Sequence, residues 1–182
     1  MAPPSRAYYD QLIQKHIEVN RTTYITFLQN LIRAPSPNPP GDTRAASEVI
    51  KAFLSRNEIQ PHVISPLPHA PNVVASFSGQ QGNGPWVLFN GHVVTFPLND
   101  EGARQIPPCS GLNDDERIHG LGAVDMKAGT AASVIAFTLL KKWANHLTGS
   151  VALTAVSDEE TGGQYALNIC STPAAMPGKL IA

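Results

Sequence analysis

Val151-Ala152-Leu153-Thr154-Ala155-Val156-Ser157-Asp158-Glu159-Glu160-Thr161-Gly162-Gly163 is an apolar run that stops at three consecutive carboxylates and a glycine pair. Its small and β-branched residues are apolar on both alternating faces, the pattern of a strand covered on both sides. Asp158, Glu159 and Glu160 are therefore expected at the strand's carboxyl end, where open α/β sheets bind their ligands. An isolated acidic triplet is usually a solvated turn. Two polar breaks of the same kind upstream favour a site instead.

The first is Trp86-Val87-Leu88-Phe89-Asn90, again apolar on both faces and read as a central strand, which ends at Gly91-His92. The second is Gly122-Ala123-Val124-Asp125-Met126-Lys127, which opens a helix from Ala128 to about Asn145 that is apolar nearly all round and must be buried against a sheet. His92, Asp125 and Glu160 are 33 and 35 residues apart. Crossover units of about 30 residues or more bring such breaks back to one end of a parallel sheet. One imidazole and several carboxylates converging there form a nitrogen and oxygen donor set that zinc, manganese or cobalt accepts. Two adjacent glutamates allow one to ligate while the other moves a proton. Lys127, beside Asp125, is read as local charge balance.

Around these breaks the chain describes an α/β domain, a layered sheet with helices on both faces. Helical spacing runs from Ser5 to about Arg33 with a break near Asn20, and again from Asp42 or Thr43 to about Asn57. The Ala34–Gly41 stretch between them holds four prolines and must be a loop. His62–Ser65 and Asn72–Phe77 read as further strands. The Pro97–Gly120 stretch, long and rich in Pro, Asn, Asp and Gly, is expected to be a functional loop. A short helix is expected over Gln164–Cys170. Gly178–Ala182 reads as a turn entering another strand, which suggests the front part of a longer protein.

Composition narrows the function. The 182 residues, 42% hydrophobic, suffice for one cored domain. Thirteen basic against fourteen acidic residues supply no basic field for nucleic acid. No membrane-span pattern or signal-peptide layout is read, so the expectation is a cytoplasmic protein with neither nucleic acid nor membrane as partner. Cys109 and Cys170 lack metal or redox spacing. Gly120-Leu121-Gly122 is not a dinucleotide fingerprint, because Asp125 occupies the third glycine position. No Gly-x-Ser-x-Gly offers a serine nucleophile. His16, His62, His69, His119 and His146 have no ligand spacing.

Taken together, Pro35-Ser36-Pro37-Asn38-Pro39-Pro40-Gly41, Leu88-Phe89-Asn90-Gly91-His92, Gly122-Ala123-Val124-Asp125-Met126-Lys127 and Asp158-Glu159-Glu160-Thr161-Gly162-Gly163 resemble, in order, the motifs of a zinc-dependent family. This is the acetylornithine deacetylase, succinyl-diaminopimelate desuccinylase, aminoacylase and glutamate carboxypeptidase group. The resemblance implies a phosphorylase/hydrolase-like metallo-exopeptidase fold that cleaves amide or peptide bonds of N-acyl amino acids or peptides. It implies two zinc ions, replaceable by cobalt or manganese, with Asp125 bridging, His92 on one ion, Glu160 on the other and Glu159 as general base. It also implies a cis peptide after Asp125.

The sequence departs from that family in two places. Val94 stands where relatives carry an Asp that orients the metal histidine, so the support of the His92 ring is expected to be broken. The family's remaining ligands, and the lid domain through which full-length forms dimerise, have no counterpart in residues 1–182. The chain is thus expected to be an amino-terminal portion of the catalytic domain, weakly active or inactive alone. A non-catalytic remnant of the same fold is the alternative.

Overall fold

The computed structural model describes residues 5–80, 84–97, 105–114 and 116–165. Two helices open the chain, α1 (Arg6–Val19) and α2 (Arg21–Arg33), separated at Asn20 as the spacing predicts. Both the Asn20 side-chain amide and its backbone N–H donate to the His16 carbonyl, closing α1 at its C-terminus. Helix α2 stops at Ala34, whose extended backbone is what a following proline requires. Helix α3 (Arg44–Arg56) buries Ala46, Ile50, Phe53 and Leu54, and its Phe53 ring stacks on Phe27 of α2 at 4.0 Å between centroids.

Strands β1 (His62–Ile64), β2 (Asn72–Ser78) and β3 (Trp86–His92) follow, then a small hairpin of β4 (Leu112–Asn113) and β5 (Ile118–His119). Helix α4 (Ala128–Lys142) leads to β6 (Ser150–Val156), which is buried at every position. The sheet order is β1-β2-β6-β3, with β2 antiparallel and β3 parallel to β6. Its central strand is thus the stretch that opened the reading.

Strand β3 departs from expectation. Among the described residues it is an outer strand, with Val87 and Leu88 about half exposed (46% and 52%). Apolarity on both faces signals potential burial and cannot say which strand lies on the other side. The packed helices also share one face: Phe27 and Leu31 of α2, Ile50 and Phe53 of α3 and Val134 and Phe137 of α4 meet Val73, Ala75, Val151 and Leu153 there. The opposite face carries a smaller cluster of Val74, Ala152 and Val156 with Ile64 and Trp86.

The Pro97–Gly120 stretch is ordered in its described part as the β4–β5 hairpin docked on α2, where Gln29 Nε2 and Arg33 Nε donate to the Gly111 and Ser110 carbonyls at 2.7 and 3.0 Å. The Gly111 and Ser110 carbonyls are thereby satisfied by α2 side chains. Ala123–Lys142 is long and apolar enough, by length and composition, to cross a membrane. Its Ala131, Val134 and Phe137 are buried in the core cluster, which is how a core helix passes the same test. Of the expected Gln164–Cys170 helix only Gln164 and Tyr165 are described, as turn residues; the rest of it and the terminal strand lie outside the described residues.

Candidate metal centre

Register assembles the site. In the parallel β3–β6 pair His92 stands opposite Val156, so Asp158, Glu159 and Glu160 leave β6 beside the residue that ends β3. Helix α4 is the crossover between the two strands, and its amino end returns to the same edge carrying Asp125. The ligand-type atoms of His92, Asp125 and Glu160 all lie within 4.8 Å of one another. Glu159 joins them, with Oε2 at 3.5 Å from His92 Nε2.

Local backbone requirements explain the glycines on either side. A Cβ at Gly91 would lie 2.5 Å from Thr130 Oγ1, and that hydroxyl donates to the His92 carbonyl at 2.8 Å. Gly91 therefore lets α4 approach closely enough to hold the end of β3. Gly122 has φ +73° and its would-be Cβ would run into the Thr95 methyl, so it starts the Asp125 turn in a way that a side chain would obstruct. The Asp125–Met126 peptide is cis, as the resemblance implies, and so are Asn38–Pro39 and Pro39–Pro40.

The support of the His92 ring is not broken. Its Nδ1 lies 2.9 Å from the Val94 carbonyl oxygen. That oxygen can only accept, so Nδ1 carries the proton and donates. The Val94 side chain can accept nothing, but its backbone carbonyl can. A histidine ring held by a carbonyl is oriented and fixed in one tautomer just as it is by a carboxylate.

With the Nδ1 proton committed, Nε2 points at Asp125 Oδ1 at 3.1 Å and at Glu159 Oε2 at 3.5 Å. Carboxylate oxygens crowd that ring nitrogen, so a cation placed among them would be held from several sides. Glu160 registers the same crowding. Burial pushes its carboxyl above the ordinary value, Glu159 and Asp125 push it further, and His92 pulls the other way. Charge, donor type and spacing all fit a divalent metal.

Lys127 is not the charge balance it was read as. It is 1% exposed, and its Nζ donates to the Ala34 carbonyl at 2.6 Å. Burial lowers its pKa to about 8, against a smaller raising influence of Cys109. It ties the Asp125 turn to the end of α2. Sequence alone gave no signal for this contact across 93 residues.

Residues 88–176 match peptidase family M20/M25/M40. Over that segment the chain is similar to the M20 peptidases. A succinyl-diaminopimelate desuccinylase of Bradyrhizobium sp. (strain ORS 278) is 32% identical over 141 residues, covering 76% of this chain and 36% of its own. An N-formyl-4-amino-5-aminomethyl-2-methylpyrimidine deformylase of Halalkalibacterium halodurans is 26% identical over 157 residues, covering 85% and 37%. The chain thus spans little more than a third of the length of these M20 relatives. Among solved structures, human carnosine dipeptidase 1 shares the fold at TM-score 0.67 and 19% identity, over 91% of this chain and 37% of its own.

Proposed function

We propose that residues 1–182 correspond to the amino-terminal part of an M20-type catalytic domain, and that the centre belongs to a metal-dependent hydrolase of amide or peptide bonds. The carrying observation is the meeting of His92, Asp125 and Glu160 within 4.8 Å at one sheet edge. In this reading His92 Nε2, Asp125 and Glu160 would hold zinc, the metal of the family the motifs resemble. Zinc there supplies a Lewis acid that polarises a substrate carbonyl and acidifies water.

Glu159 has the freedom its role needs: its side chain is half exposed (52%), and only one of its oxygens faces His92. Its carboxylate accepts the proton of the attacking water and returns it to the nitrogen that leaves when the C–N bond breaks. The Nδ1–H bond to Val94 keeps the His92 ring fixed meanwhile. The substrates that fit are the classes on which the relatives named above act, small N-acyl compounds and short peptides. A cytoplasmic setting accompanies this reading, as does dimerisation through a lid domain in full-length forms.

A non-catalytic chain of the same fold is favoured by one observation. Among the described residues three donors gather besides Glu159, few for two ions that each need about three protein ligands. Metal content and turnover decide. Zinc titration of the chain with calorimetric detection, followed by hydrolysis of N-succinyl and dipeptide substrates, is expected to show zinc bound through His92 and slow turnover that Glu159→Gln abolishes. Absence of zinc binding sinks the metal reading, and zinc binding without any turnover supports the non-catalytic chain.

A further inference from the structure

We propose that Ser36, in the proline-rich loop 34–41, is the residue that positions His92. The inference rests on the metal reading of His92 given above. A peptide unit is planar, so the Val94 carbonyl and the Thr95 N–H point in opposite directions from one rigid plane. Thr95 N donates to the Ser36 carbonyl at 2.9 Å, and the same plane thereby aims the Val94 oxygen at His92 Nδ1. The preceding plane is held by the same residue, because Ser36 Oγ donates to the Val93 carbonyl at 2.6 Å. Ser36 therefore grips the peptides on both sides of Val94 and fixes both of its free dihedrals.

Other contacts complete the clamp without replacing it. Val93 N donates to the Val156 carbonyl and Asn38 N to the Thr95 carbonyl, both at 2.9 Å, and Pro37 bridges Thr95 in parallel. Ser36, at 1% exposure, has no water to substitute for its hydroxyl. Removing that hydroxyl leaves the buried Val93 carbonyl unpaired and frees its plane to rotate. Because no carboxylate side chain stands at position 94, the aim of the Val94 carbonyl alone sets the ring. The role of Ser36 is to position, since it reaches the reacting atoms only through His92.

The experiment follows the His92 Nδ1–H signal in the metal-free 182-residue chain with 15N-labelled histidine, the signal being assigned by its loss in His92→Gln. In Ser36→Ala, exchange of that proton with solvent is expected to quicken at least about 10-fold, and zinc affinity measured by calorimetry to fall by about 10-fold. Ser36→Thr restores both. Ser36→Cys keeps the volume with a weaker donor, and is expected to give intermediate values should Ser36→Ala fail to fold. Ile50→Val, which destabilises the core at a distance, leaves ring exchange unchanged and so separates positioning from general loss of stability. Wild-type ring exchange in Ser36→Ala, or in Ser36→Cys where that is the variant that folds, overturns the proposal. Faster exchange in a chain whose wild type binds no zinc supports the positioning and overturns only the metal reading.

Discussion

His92 Nδ1 donates to the carbonyl of Val94, two residues further along the same strand end, at 2.9 Å. A side chain thus takes its orientation from the backbone that carries it, and the identity of residue 94 stops mattering to the ring. Val94→Asp, which restores the residue expected from the family pattern, is accordingly expected to change zinc affinity by less than about 3-fold, since the ring proton is already bonded. It is also expected to lower the melting temperature, because the new carboxylate replaces a side chain that is 1% exposed. Calorimetric titration and thermal melts check both. A tenfold tightening of zinc would mean that the carbonyl is an inadequate partner.

Crowded carboxylates make the centre a cost to the metal-free fold. Glu160 is raised above its ordinary pKa by burial and by Glu159 and Asp125. A carboxyl raised by folding destabilises the ionised native state at neutral pH, so removing a neighbouring charge relieves it. Asp125→Asn is therefore expected to leave the metal-free chain at least as stable as wild type, and to erase the rise in melting temperature that zinc is expected to give wild type by binding the native state. Paired melts with zinc and with chelator test this. A metal-free variant that melts well below wild type would contradict it.

Gly91 and Thr130 share one small space. Gly91→Ala places a Cβ 2.5 Å from Thr130 Oγ1 and is expected to cost about 1–3 kcal/mol, the usual range for overpacking. Thr130→Ala removes the obstructing oxygen together with its bond to the His92 carbonyl. The double variant is expected to be less destabilised than the sum of the singles, a coupling that urea unfolding measures. Strict additivity would show that the contact with α4 does not govern the end of β3.

Much of this was legible in the primary structure, for physical reasons that differ by element. The split at Asn20, the proline loop, α3, α4 and β6 announce themselves through local rules of period, capping and excluded conformations. His92, Asp125 and Glu160 were also visible, since each sits where a regular element meets a break. The outer position of β3 was not, because sheet order is a property of distant segments. The Val94 carbonyl, the Ser36 clamp and the Lys127 anchor escaped for a shared reason. Each is a bond to main-chain oxygen, and main-chain oxygen is the same at every residue.

Lys127 gives the last prediction its sign. Its ammonium is buried against the Ala34 carbonyl, and burial depresses its pKa to about 8 from an ordinary value of 10.5. Between those values the unfolded chain holds a proton that the native chain has shed, so native stability rises with pH across that window; below it the cost of the buried charge is present in full. The shift corresponds to a relief on the order of 3 kcal/mol. Lys127→Met has no proton to shed. The stability difference between wild type and Lys127→Met is therefore expected to move in favour of wild type by that order between pH 7.5 and pH 10.5, and urea unfolding at the two values measures it. A difference that stays flat with pH would mean that Lys127 is charged at no cost, and that its ammonium meets the solvent rather than the α2 terminus.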